Sequence, residues 1–523
     1  MYSFNRVSLM FLCGFVGLLT PGFAAPSAQS AAKAPRADAF HALVAPQTLR
    51  SDVVTLLWDK VDAGSAGVSY EILRDDERVG TTRKTHFTVE NLAPEHRYVF
   101  TIRARTASDT NIATSPPLPV QTPSKETIVS VVDHGAVGDG KTLNTKAIQA
   151  AINLCPPGGV VRIPKGVFVS GALFLKSDMT LEIAAGGVLK GSVSVADYEP
   201  FIQNRFEGWE LKTYASLLNA GTLDRAGPAN VHNLSIRGRG TISGGGPILG
   251  DAMIAANGLR SRGRLICLMN AANVELQGLT LEETPCWTFH YIYSENVTCH
   301  DLTIRSAVRN GYGIDPDSSR NSYIFNCSFD TGDDCIAIKS GKNPEGNVIN
   351  RPTENVRIFD CRFTRGHGIS IGSEMSGGVR DVLVDDCVAG NLLHGFQIKA
   401  TPQRGGVVEN VTVRDCDLQM ISILTALPYN NDGDAAPVAP YFRNFRFFNI
   451  DLSQANPAKP VIIVNGFAAE GHRTKNVSFE NIKLPARAVV KLDQTEDVVF
   501  THVRTTEDQE PAYQITHSER VSH

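Results

Sequence analysis

The residues richest in chemical potential are the adjacent carboxylates of "TGDDCIAIKSGKN", residues 331–343. Asp333 and Asp334 follow Gly332 and precede "CIAIK", which alternates as a strand with one buried face does. Like charges side by side repel, and successive strand residues point to opposite faces, so the pairing is unfavourable unless it is used. Two carboxylates are the minimal equipment for acid/base cleavage of a glycosidic bond, one protonating the leaving oxygen and the other activating water. Further along, "RGHGISIGSE" supplies His367 and Glu374, "GFQIKA" supplies Gln397 and Lys399, and Lys339 ends the first strand. Cations beside paired carboxylates suit a sugar that itself carries carboxylates.

Something must bring these residues together, and a repeat does so. An Asn or Asp followed by an alternating apolar stretch recurs as "NVELQGL" at 273, "NVTCHDL" at 296, "NSYIFNC" at 321 and "NVRIFDC" at 355. It continues as "DVLVDDC" at 381, "NVTVRDC" at 410, "NFRFFNI" at 444 and "NVSFENI" at 476. The first intervals, 23 and 25 residues, suit one turn of a parallel β-helix, and longer ones imply loops inserted into single turns. The seventh residue of each unit (Leu279, Leu302, Cys327, Cys361, Cys387, Cys416, Ile450 and Ile482) is apolar and is expected in one interior column. The four cysteines are then packed thiols rather than disulfides or metal ligands. The leading Asn suits a bend in left-handed backbone geometry.

The same register aligns the polar groups. Asp333 and His367 lie 12 residues after their anchors, Lys339 and Lys399 lie 18 after theirs, and Asp315 and Glu374 lie 19 after theirs. Equal offsets on neighbouring turns are about 4.8 Å apart. Parity turns Ile336, Ile338, Phe396 and Ile398 inward, leaving Asp333, Lys339, Gln397 and Lys399 outside. Asp334 would point inward on an ideal strand, and Gly332 allows the bend that brings both carboxylates to one cleft. One exterior face thus carries Asp315, Asp317, Asp333, Asp334, His367, Glu374, Lys339 and Lys399. A merely solvated face accounts poorly for matched offsets.

Around this core the 523 residues divide readily. An apolar run from Val7 to Leu19, with small residues near Ala24 and Ala25, reads as an export leader over 1–25, too short to span a membrane. Residues 26–39 read as a Pro/Ala/Ser-rich linker. Net charge is −4 with both signs dispersed, which argues against a nucleic-acid partner, and no other segment approaches a membrane span. Of ten cysteines, Cys13 leaves with the leader, and nine remain. Short alternating runs over 40–122 predict a β-sandwich. "LAPEHRYVFTIRA" resembles the fibronectin type III pattern, with Tyr98 at the corner and Trp58 in the core. This module carries no catalytic constellation and reads as a spacer. The β-helix is expected over 123–510, with an amphipathic helix from Asn144 to Leu154 capping its open end, and 511–523 as a tail.

The motifs, taken in order, resemble the polygalacturonases of glycoside hydrolase family 28. "TGDDCIAIK" is similar to the family's Asp-Asp motif, "RGHGISIGSE" to its His-Gly motif and "FQIK" to its Arg-Ile-Lys motif, over roughly 128–505. The resemblance implies an all-β chain: a right-handed parallel β-helix of the pectin-lyase-like kind, preceded by the sandwich. It implies an inverting hydrolase of α-1,4-galacturonan without cofactor or metal, acting as a monomer on polygalacturonate or a related pectic chain. By the same carry-over Asp333 is the general acid, Asp334 activates water, His367 tunes the pair, and Lys399 binds the substrate carboxylate, with Gln397, Glu374 and Lys339 near it. Two departures stand out. Tyr312 occupies the family's third aspartate position, leaving Asp315 or Asp317 to assist Asp334, and Gln397 replaces an arginine clamp. They keep another pectic backbone, such as rhamnogalacturonan, in contention; a calcium-dependent lyase and a non-catalytic glycan-binding β-helix fit less well. A fibronectin-type module ahead of such a domain resembles exo-acting bacterial members, and the stretch 196–221 is expected to close one end of the cleft.

Overall fold

The computed structural model describes residues 40–61, 67–425 and 433–523; the expected leader and linker lie outside the described residues. Near the N-terminus two antiparallel sheets face each other. One orders Ala42–Val44, Val54–Trp58 and His86–Val89, and the other orders Glu77–Thr82, Val68–Arg74, Arg97–Thr106 and Asn111–Thr114, with Leu118–Gln121 also on Arg97–Thr106. Alternation in "RYVFTIRART" turns Tyr98, Phe100, Ile102 and Ala104 into a core that also holds Trp58. The Tyr98 hydroxyl accepts the Ala93 N–H at 2.9 Å, which fixes the corner before that strand.

Beyond residue 127 the chain winds into a parallel β-helix with 33 strands among the described residues, those between its end turns pairing with strands one turn before and one turn after. Every parallel crossover of this kind favours the right hand. The Asn-led strands form a first sheet, among them Glu295–His300, Arg320–Phe325, Thr353–Phe359 and Val379–Asp385. A third sheet stacks Phe289–Ile292, Ile314–Asp317, Ile336–Ile338, the ends of Arg362–Gly372 and Val388–Ala400, and Ile421–Thr425. Ile336, Ile369, Phe396 and Ile421 form one interior row of this sheet, and Ile338, Ile371, Ile398 and Ile423 another, all fully buried.

Each leading Asn or Asp has a φ between +55° and +62°, the left-handed bend expected of it. The side chains add something the repeat did not announce: Asn296, Asn321 and Asn355 each donate to the amide oxygen one turn earlier, at 3.0, 2.9 and 2.8 Å. A neutral bond of this kind contributes about 0.5–1.5 kcal/mol net. All eight residues of the seventh-position column are at most 2% exposed, and its four cysteines are free thiols. The helix Thr145–Leu154 buries Ile148, Ala151 and Ile152 against the first turns. Residues 511–523 are not a tail. Ala512–Thr516 and Glu519–Ser522 pair in parallel with the preceding turn, and their alternation is too short to read from sequence.

The sandwich docks on the outer face of the first sheet. Ala45 and Leu57 pack against Phe325 and Phe359, and His86 Nε2 lies 2.9 Å from Asp360. Lys60 Nζ sits 2.7 Å from both Asp386 and Asp415 and 3.1 Å from Asp385. No helix among the described residues is long and apolar enough to cross a membrane.

Candidate active site

Asp333 and Asp334 occupy a bend between the strands Ser328–Thr331 and Ile336–Ile338, so neither is bound by strand alternation. Gly332 is needed for space rather than for its φ: a Cβ there would lie 2.4 Å from the Val308 carbonyl oxygen. The expected alignment with the next turn holds, since His367 N–H donates to the Asp333 carbonyl at 3.0 Å. His367 Nδ1 then reaches both carboxylates, at 3.1 Å from Asp333 Oδ1 and 3.3 Å from Asp334 Oδ1. Gly368 lets this turn press close, because a Cβ on it would meet the Gly395 carbonyl oxygen at 2.1 Å.

Asp334 is the floor of the site. Its side chain is inaccessible, whereas those of Asp333 and His367 are 18% and 28% exposed. Oδ1 accepts from Ser370 Oγ at 2.6 Å and from Gln397 Nε2 at 3.3 Å, and Lys399 Nζ lies 3.1 Å from Oδ2. Burial pushes the Asp334 carboxyl up, but the Lys399 charge and the His367 bond outweigh it and hold the group well below the usual carboxylate range. The two carboxylates in turn raise His367 to about 9 against its burial, so at neutral pH it is an imidazolium. A protonated imidazole already donating to both carboxylates, with an ammonium 3.1 Å away, is a poor donor set for a metal ion.

Several expected site residues belong to supports. Lys339 and Glu374 do not face an open cleft; they are buried and joined at 2.9 Å, with Lys339 Nζ 4.8 Å from the Tyr312 ring centre and 5.2 Å from that of Trp287. Lys339 and Arg404 hold Glu374 down at about 2 despite burial. Asp315 and Glu374 are not on one row: Asp315 lies in the row of Ala337, Ser370 and Gln397, because the stretch 307–313 ahead of Ile314 is longer than its counterpart 332–335 one turn on and shifts the count. Gln397 is 2% exposed and turned onto Ser370 and Asp334, so it is not an open substrate arm. Asp317 is consumed, accepting from Arg205 Nη1 at 2.7 Å with His290 Nε2 at 3.3 Å. Sequence reasoning missed Ser370, although the inward Ile369 and Ile371 on either side of it already turned it outward.

Arg205 comes from an antiparallel hairpin, Ile202–Phe206 with Trp209–Thr213, inside the stretch expected to close the cleft. Phe206 stacks on Trp287 with ring centres 4.9 Å apart, and Trp287 stacks on Tyr312 at 5.4 Å. Trp209 Nε1 donates to the Asn343 carbonyl at 3.0 Å. The hairpin therefore walls the side of the site nearest Asp317 and Asn343. On the opposite side lies an open groove of about 390 Å³ lined by Gly332, Arg365, His367, Asn391 and Leu393.

A parallel β-helix bearing paired carboxylates, an imidazolium between them and a lysine beneath defines a polysaccharide-cleaving enzyme. The model of glycosyl hydrolases family 28 matches residues 162–501, so the chain belongs to that family and is a glycoside hydrolase. An exo-poly-alpha-D-galacturonosidase of Dickeya chrysanthemi is 27% identical over 470 residues, covering 79% of this chain and 77% of that one. An endo-polygalacturonase of Pectobacterium carotovorum subsp. carotovorum is 29% identical over 366 residues, covering 65% of this chain and 84% of that one. The solved structure of a family 28 exopolygalacturonase from Yersinia enterocolitica superposes with a TM-score of 0.85 at 27% identity, covering 92% of this chain and 99% of that one.

Proposed function

We propose that the protein is an exported, exo-acting polygalacturonase that hydrolyses α-1,4-galacturonosidic bonds with inversion, its N-terminal module being a fibronectin type III spacer. The observation that carries this is a carboxylate pair joined through His367 at the walled end of a groove. Asp333, the more accessible carboxyl, protonates the leaving oxygen as the C–O bond breaks. Asp334 takes the proton of the attacking water through Oδ2, since Oδ1 is occupied by Ser370 and Gln397. Oxygens of Asp333 and Asp334 lie within 4.8 Å, a spacing closer to that of double-displacement enzymes. Asp334 held by four side chains is a weak nucleophile, which favours a water route. Lys399 beneath the pair keeps Asp334 ionised for that role, and the hairpin wall supports release of short products from one chain end.

Product analysis on polygalacturonate and rhamnogalacturonan side by side tests the reading. We expect mono- or disaccharide from the first turnovers on polygalacturonate, with the anomer inverted by NMR of fresh product. Random oligomers overturn the exo mode, a retained anomer overturns inversion, and ultraviolet-absorbing unsaturated uronide overturns hydrolysis. Tyr312 and Gln397 favour a second reading, a rhamnogalacturonan hydrolase, and faster release from that polymer would establish it.

A further inference from the structure

The cations around the carboxylate pair are committed to carboxylates of the protein itself. Lys399 is on Asp334, Lys339 on Glu374, Arg205 on Asp317, and His367 on both members of the pair. The open groove beside Gly332 carries a cation of another kind: Arg365 lines it, with 57% of its side chain exposed. Register puts it there. Asp330, Arg365 and Asn391 are partners on successive turns, after a bulge that takes up Thr364. Asp330 accepts from Arg365 Nε alone, at 2.6 Å, and the two terminal amino groups have no partner among the described residues. A guanidinium held along one edge presents the other as a planar fork of two donors, the shape a carboxylate fits. Because the pair with Asp330 is exposed it is weakly held, so a second carboxylate can share the cation. Among the described residues no carboxylate lines this groove, while Leu393, 55% exposed, sets an apolar side chain near the Asn391 amide. A sugar ring offers the matching mixture of C–H face and hydroxyl edge.

We propose that Arg365 is a specificity-determining residue that reads the carboxylate of the uronate on the leaving side of the scissile bond. It rests on the reading of Asp333 as the acid of a polygalacturonase given above, and adds which residue recognises the charge of the polymer. Gly332 precedes Asp333 in the chain, His367 N–H donates to the Asp333 carbonyl one turn on, and both residues line the groove with Arg365. The hairpin walls the opposite side, so a chain whose leaving oxygen meets Asp333 runs on past Arg365. A uronate there pairs with the guanidinium alike before and during bond cleavage, which is binding that lowers KM and leaves kcat as it is. A neutral sugar in that place, such as the rhamnose of an alternating backbone, leaves the fork without a partner. Arg365 thereby favours polygalacturonate over rhamnogalacturonan and needs no charge at Gln397 to do so.

Arg365→Met on the full chain tests this with trigalacturonate and its methyl ester. KM for trigalacturonate should rise about tenfold, the scale of one solvent-screened charge-assisted bond, with kcat within about twofold of wild type. On the ester, which offers no charge to pair, variant and wild type should differ by less than about twofold in kcat/KM. Arg365→Lys, which keeps the charge but loses the fork, should fall between them. An unchanged KM or an equal loss on the ester overturns the proposal, and so does a fall in kcat at constant KM, which would make Arg365 a support of the acid. Calorimetry with digalacturonate in the Asp333→Asn background needs no turnover. Adding Arg365→Met should weaken that binding about tenfold at low salt, and the difference should shrink as salt screens the charge. Equal binding with and without Arg365 overturns the proposal whatever the wild type cleaves. If the wild type cleaves no polygalacturonate yet digalacturonate binding still depends on Arg365, the proposed function falls and the assignment of Arg365 stands.

Discussion

Two clusters on this β-helix are built from nearly the same parts. Asp385, Asp386 and Asp415 on the first sheet, and Asp333, Asp334 and His367 beside the third, each bring three ligand-type atoms within 4.8 Å. On the first sheet one cation, Lys60 of the sandwich, plugs the centre and touches all three carboxylates. By the third sheet the cations stand around the rim and below: His367 bridges the carboxylates, Lys399 holds one from beneath, and Asp333 stays partly open to solvent. Charge compensation from the middle makes a joint; compensation from the edges leaves an oxygen free to exchange a proton. Composition alone cannot separate the two.

The sharpest break in that comparison is Asp333→Asn. The isostere keeps the volume and the Asp334 N–H contact at 2.9 Å but cannot give a proton, so kcat should fall about 10²- to 10⁴-fold with unfolding temperature nearly unchanged. Asp386→Asn at the other cluster should leave kcat as it was. Activity of Asp333→Asn within tenfold of wild type would sink the general-acid assignment.

Lys399→Met comes next. Removing a charge-assisted bond worth about 1.5–3 kcal/mol should lower kcat/KM about 10- to 150-fold. Because Lys399 Nζ is on Asp334, the loss should be alike on free and methyl-esterified polygalacturonate. A much smaller loss on the esterified polymer would show instead that Lys399 reads the substrate carboxylate.

Most of the scaffold was legible because a parallel β-helix writes its register into the chain. Each seventh residue meets its counterpart one turn on, so Cys327 to Cys416 could be stacked from spacing, and the alignment of Asp333 with His367 followed from equal offsets. Two kinds of feature were not legible. Burial by distant segments was one: Lys339 is outward by parity, yet Trp287, Tyr312 and the hairpin carrying Phe206 and Arg205 roof it over from far away in sequence. Partner choice was the other. Asp315 and Asp317 look alike as letters, and only the arrival of Arg205 on Asp317 separates them. Gln397 was placed on the correct face, but whether an amide there meets a substrate or Asp334 depends on rotamer and depth rather than on pattern.

Lys60→Met sharpens the comparison from the structural side. The ammonium is raised well above its ordinary value because the three aspartates outweigh its burial, and its loss leaves them repelling one another. With a quarter of the side chain exposed, solvent screens part of this, so a destabilisation of about 1–3 kcal/mol is expected by urea denaturation. The kcat of the folded enzyme should be unchanged. A large fall in kcat would mean the sandwich is coupled to the site and not merely joined to the helix.

The smallest expected effect separates the clusters by pH. His367 titrates near 9 when folded and near 6.5 as an ordinary histidine, so its charge favours the folded state. That contribution is fully present below about 6.5 and is lost as pH rises through about 9. The Lys60 joint keeps its charge across the same window, because lysine ordinarily titrates above it and Lys60 is raised further. Unfolding temperature should therefore decline between pH 6.5 and 9 in the wild type and in Lys60→Met alike, and the decline should flatten in His367→Gln. If His367→Gln keeps the full slope, the imidazole is not the bridging cation, and the arrangement in which one proton serves two carboxylates fails with it.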